Sequence, residues 1–175
     1  MAFDFRTDPI LATAYRYWDG KRGTRLMPRR GDIDPGEIVP LLPNIQIIEV
    51  VDGGKRLRYR LVGTAIVAAL GAEYTGKYFD EVSSGKQLRA HEENYRIIAR
   101  EKCPLFVSRR YATPGGAELH SRRIIMPLSE DDTVVNQMLT VMSFHAANTA
   151  ARRPGGLLGE ETHFDVNDTE RSLIR

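Results

Sequence analysis

A chain of 175 residues, 42% hydrophobic and 27% charged, has globular composition and enough length to bury a core, which excludes a mostly disordered protein. Its net charge of +2 is too nearly balanced to define an acidic or basic partner by itself. Cys103 is the only cysteine, which excludes an intrachain disulfide.

No apolar run reaches membrane-spanning length, and the N-terminus MAFDFRTDP lacks the basic-then-apolar order of a signal peptide. The expectation is a soluble cytoplasmic protein with no membrane partner.

The first helix is marked by Asp8 as cap and Pro9 in the first turn, with Leu11, Ala14, Tyr15 and Trp18 on one face and Gly20 at its end. A basic connection, KRGTRLMPRRGD, follows. Its run from Arg16 to Arg30 could meet nucleic acid, but it has no aromatic interleaving, and a solvated loop is the plainer reading. A second short helix is expected where Asp34 and Glu37 have capping-box spacing around Pro35, docked by Ile38, Leu41 and Leu42.

After Pro43 and Asn44, IQIIEVV forms one strand, Asp52-Gly53-Gly54 a hairpin turn and LRYRLVG the antiparallel return. Thr64 is expected to cap a short apolar helix that Gly71 closes. GAEYTGK, Gly71 to Lys77, matches phosphate-loop glycine and lysine spacing. It is rejected as one, because Tyr78 stands where the metal-binding Ser or Thr belongs and no long helix follows. The longest helix is expected from Gly85 to Arg100, with Leu88, His91, Tyr95 and Ile98 on one face. Three strands complete the chain: LFVSRRYA, ELHSRRIIMPL and Val134 to Phe144, joined by the turns TPGG and SEDD.

Two strands, a helical group and three strands give an α+β fold: a five-stranded antiparallel sheet with helices on one face. The last strand is apolar on both parities, so the other face also needs cover, from the N-terminal helix, a second copy of the chain, or both. A homodimer through the outer sheet face and N-terminal helix is therefore expected. The boundaries are 1–43 for the helical extension, 44–145 for the domain and 146–175 for a tail, with Leu157 and Leu158 able to dock locally.

With these elements in place the sequence resembles short bacterial PAS proteins, single sensory domains with an N-terminal extension. The marks are Tyr17-Trp18, PRRGDIDP from Pro28 to Pro35, LLPN from Leu41 to Asn44, YRLVGT from Tyr59 to Thr64, the Gly71, Thr75, Gly76 corner and MPLSED. The resemblance spans Tyr15 to Phe144 and implies a PAS-like sheet and a sensing or protein-docking role rather than catalysis. PAS domains that form a flavin adduct carry their cysteine in an Asn-Cys-Arg-Phe context before the long helix, whereas Cys103 follows that helix in EKCPLF. Haem-binding PAS domains use a histidine of the long helix, and His91 is such a residue. We take it as a satisfied core histidine, with haem ligation as the alternative, so the cofactor stays unassigned.

No histidine pair has metal-ligand spacing, no nucleophile elbow is present, and Cys103 has no base paired with it in sequence, so no catalytic or metal residue is assigned. Arg109, Arg110, Arg122 and Arg123 occupy adjacent strands, with the members of each pair on opposite faces. An exposed cross-strand patch is the plainer reading. An arginine inside an apolar cup would instead favour a ligand carboxylate or phosphate. The candidate pocket is Leu88, His91, Tyr95, Tyr59 and Arg109. The expected function is a non-catalytic sensory regulator that docks on signalling proteins, tuned by a small ligand. The alternative is a small-molecule-binding enzyme or carrier on a similar curved sheet, which a buried Asp or Glu facing the pocket would favour.

Overall fold

The computed structural model describes residues 4–112, 118–146 and 164–174, with side chains for 4–110, 119–145 and 170–174. The described strands form one antiparallel sheet in the order β2-β1-β5-β4-β3-β6: β1 (Ile45–Val51), β2 (Arg56–Val62), β3 (Leu105–Ala112), β4 (Glu118–Leu128), β5 (Gln137–Ala146) and β6 (Phe164–Leu173). Helices α2 (Thr64–Leu70), α3 (Phe79–Val82) and α4 (Gly85–Glu101) lie between β2 and β3. The two-then-three strand order expected from the sequence is thus present.

A sixth strand corrects the five-strand expectation. The segment taken as a tail contributes β6, which pairs with β3 from Leu105↔Leu173 to Tyr111↔Phe164. Ile174 is buried, and its N–H donates to the Pro104 carbonyl at 2.9 Å. Polar residues dominate DVNDTERS, so no apolar alternation marked the strand; the open edge of β3 supplies its hydrogen bonds instead. Leu157, Leu158 and the TPGG turn lie outside the described residues.

Helix α1 (Pro9–Arg22) covers the outer face of the sheet. Trp18 Nε1 donates to the Pro127 carbonyl at 2.9 Å, and Phe5 meets Phe106 with ring centroids 6.3 Å apart. Leu11, Ala14 and Trp18 join the same buried cluster as Ile124, Met126 and Val141. The cover that the doubly apolar β5 requires on this side therefore comes from within the chain. The helix runs past Gly20 and ends at Gly23, whose φ of 57° suits a glycine.

Three local expectations change. Residues 35–44 form two 3-10 turns rather than a helix: Asp34 caps Gly36 N–H, Ile38 and Leu41 are buried, but Leu42 is exposed and Glu37 pairs with Lys21. Thr64 is the first residue of α2, not its cap; Gly63 occupies the cap position with no side chain to offer. Gly63 is needed for another reason, since a Cβ there would stand 2.4 Å from the Pro43 carbonyl oxygen. Strand β5, expected from Val134, begins at Gln137, and Val134 is exposed in the turn before it.

Much of the basic stretch is tied into the protein. Arg25 donates to the Ser129 carbonyl, Arg30 to the Ile33 carbonyl, and Arg22 pairs with Asp19 at 2.7 Å. Asp132 returns the contact by accepting from Leu26 and Met27 N–H, while Ser129 N–H donates to the Pro28 carbonyl and Arg30 N–H to the Glu130 carboxylate, so PRRGD and SEDD hold each other. The Tyr74 to Lys77 corner is likewise spent on β2, where Gly76 N–H donates to the Tyr59 carbonyl and Tyr59 N–H to that of Lys77. Among the described residues, no helix is long and apolar enough to cross a membrane.

Candidate functional site

Register decides which arginines face the long helix. Paired residues in an antiparallel sheet share a face, and alternate residues along each strand do so too. Val107↔Arg123, Arg109↔Ser121, Arg123↔Met142 and Ile125↔Thr140 therefore place Arg109, Ser121, Arg123 and Thr140 on the inner face, under α4. Ser108, Arg110 and Arg122 fall on the outer face. Arg109 and Arg123 are each only 4% exposed, which corrects the reading of a solvated cross-strand patch.

The five candidate residues do not form one contact set. His91 and Arg109 meet directly, with Nε2 3.2 Å from Nη1. Arginine can only donate, so His91 accepts at Nε2 and holds its proton on Nδ1. Tyr59 and Tyr95 meet through Phe79, whose ring lies 4.4 Å from Tyr59, 5.2 Å from Tyr95 and 6.1 Å from His91. Leu88 is half-buried against the core, one turn before His91.

Several residues of the site lie outside the candidate set, Ser121 and Thr140 among them. Phe79, at the start of α3, is the centre of the aromatic group, and its burial follows from the single turn of helix that the Thr-Gly-Lys corner launches. Arg123 could have been found only by fixing the register of β3 on β4. Asn94 is wholly buried on α4, and Arg171 reaches it from β6, with Nε 2.6 Å from Oδ1. Neither followed from the sequence, because Asn94 sits beside the apolar positions of the helix and Arg171 lies in the segment taken as a tail.

Among the described residues, the charges acting on the His91 imidazole are those of Arg109, Arg123 and Arg171. His91 keeps some accessible surface, yet its ring is desolvated, and burial followed by the charges of Arg109, Arg123 and Arg171 holds its pKa well below 6.5. Burial raises the Tyr95 phenol, against the opposing pull of Arg123, the Thr140 hydroxyl and Arg109. The wholly buried polar groups here that have no hydrogen-bond partner include Asn94 Nδ2 and Ser121 Oγ. Arg109 occupies the Nε2 lone pair that iron ligation through that nitrogen would need.

On the other side of Tyr95, a cleft of about 60 Å³ opens among Val50, Leu57, Ala99 and Met138, bordered by Glu92 and Arg96. That is room for a water or two, not for a large cofactor. Among the described residues the buried carboxylate is Asp8, and it lies on the outer face, away from α4.

A model of the PAS domain family matches residues 6–143. The match covers most of the chain and agrees with the strand order and the helical insert. The chain belongs to the PAS domain family, and with it comes a sensory or regulatory role. No curated protein and no solved structure matches it.

Proposed function

We propose that this chain is a non-catalytic, cytoplasmic PAS-type regulator that docks on other signalling proteins and is tuned by a small ligand held between α4 and the sheet. Leu88, His91, Tyr95, Tyr59 and Arg109 form part of that site. One observation carries the reading: the helix and sheet enclose polar groups, Asn94 Nδ2 and Ser121 Oγ, that the protein itself leaves unanswered. Buried donors without partners cost about 1–3 kcal/mol each, so a fold keeps them where something else answers them.

Docking is supported by apolar side chains left outside the core. Val39, Leu42 and Leu61 are all exposed and lie close in sequence to the Gly63–Pro43 contact. We infer self-association through the free face of α1, since its other face is committed to the sheet.

Native mass spectrometry of freshly purified protein, with an absorption spectrum beside it, tests the ligand. A retained small mass that disappears in Ser121→Ala, which removes the hydroxyl without adding bulk, is the expected result. A bare chain after mild purification contradicts it.

A further inference from the structure

The cleft on the far side of Tyr95 has walls and a border of different chemistry. Val50 and Leu57, paired across β1 and β2, face Ala99 of α4, with Met138 of β5 beside them, so the walls are mostly hydrocarbon. Its volume of about 60 Å³ would admit water, but a water there would find few polar partners, and spaces of that kind favour apolar groups. An alkyl chain of about two or three carbons fills the same room.

The border carries charge, and one charge is left over. Glu92 and Arg96 answer each other across one turn of α4 at 3.1 Å. Lys55, in the turn that leads into β2, also lines the cleft; it is exposed and has no ion-pair partner among the described residues. We propose that this cleft binds a short-chain aliphatic carboxylate, with its tail against Val50, Leu57 and Met138 and its head at the Lys55 ammonium. The sign of the head group follows from the border, because Glu92 is already paired while Lys55 offers a compact positive charge with three donors. The site goes beyond the ligand reading above, since its lining includes neither His91 nor Asn94 nor Ser121.

Nuclear magnetic resonance titration of the nitrogen-labelled full chain with butyrate, uncharged butyramide and octanoate tests this. Butyrate should shift the amide signals of Gly54, Leu57 and Ala99 saturably, and bind about three- to fivefold more tightly than butyramide, the gain expected of one exposed ion pair. Octanoate, whose tail overruns the cleft, should bind no more tightly than butyrate. Ala99→Leu, at an exposed helix position, fills the space and should abolish the shifts from both small probes, whereas Lys55→Met should bring butyrate down to the affinity of butyramide. Circular dichroism melts confirm that both variants fold. No saturable shift at the cleft, shifts that survive Ala99→Leu, equal binding of butyramide by the natural chain, or affinity that keeps rising with chain length overturns the proposal. Because Ser121 takes no part in it, such a failure leaves the mass-spectrometric test of the ligand reading standing.

Discussion

Ser143 of β5 donates a 2.6 Å hydrogen bond to the buried carboxylate of Asp8, the residue that also caps α1 through the N–H groups of Ile10 and Leu11. His145 Nε2 lies 3.0 Å from the same oxygen. A single side chain thus starts the N-terminal helix and fastens it to the strand whose opposite face carries Thr140 and Met142. Burial alone would raise the Asp8 pKa, but the bonds from Ser143, His145 and Leu11 outweigh it and leave it lowered.

Asp8→Ala removes both the cap and the fastening, and should cost about 2 kcal/mol or more in urea unfolding. Ser143→Ala should cost about 1 kcal/mol. The double variant should show less than the sum, because the two side chains share one bond. Strictly additive losses would mean that the fastening contributes nothing. Because the folded Asp8 pKa is lowered, its contribution is full above the ordinary 3.8 and lost as pH falls through the folded value.

His91 should make stability depend on pH in a higher range, with the same sign. Its folded pKa lies well below 6.5, so below that value the unfolded chain takes up a proton that the folded chain refuses. Stability from this group is full above pH 6.5 and falls by at most about 1.4 kcal/mol per pH unit on acidification, down to the folded pKa. Subtracting the unfolding profile of His91→Gln from that of the natural chain isolates this slope from those of the other histidines. A flat difference between pH 7 and pH 5 would show that the imbalance around the ring is absent.

Gly63 tests the close approach between the two marks LLPN and YRLVGT. At φ −70° any residue could adopt this backbone, so the constraint is space and not conformation. Gly63→Ala must push the Pro43 carbonyl away and should cost about 1–3 kcal/mol. A neutral alanine in denaturant titration would mean that the 3-10 turn at Val39–Asn44 gives way freely.

The last strand gives a sharper test, because the sequence concealed it. Truncation after His145 removes β6 and the buried Ile174, and leaves the β3 edge open. Loss of at least about 2 kcal/mol is expected from the apolar burial alone, with earlier aggregation on heating. An unchanged melt would restore the peripheral tail.

What the sequence made legible is what local chemistry dictates. Asp8 and Pro9 announce a helix start, the Asp52-Gly53-Gly54 turn joins alternating runs, and Leu88, His91, Tyr95 and Ile98 keep one face over a long helix. Each signal lies within a few residues of its effect. The site was legible only in part, because it depends on pairing across the sheet. Nothing in SRRY or SRRI says which arginine turns inward until Arg109 is set opposite Ser121. Arg171 and Asn94 meet across 77 positions of chain, on a strand with no apolar alternation. Thr64 misled for a simpler reason: a good capping residue stood one place too late, and the close approach to Pro43 had already claimed the cap position for glycine.

Amide hydrogen exchange tests the central claim most directly, comparing protein as purified with the same protein stripped of small molecules by unfolding and refolding. If the space under α4 is the sensory site, stripping should lower protection in α4 and the middle of β4. Helix α1 should follow through β5 and the Asp8–Ser143 bond. Identical exchange in the two preparations, or changes confined to regions that contact neither α4 nor β5, would contradict it.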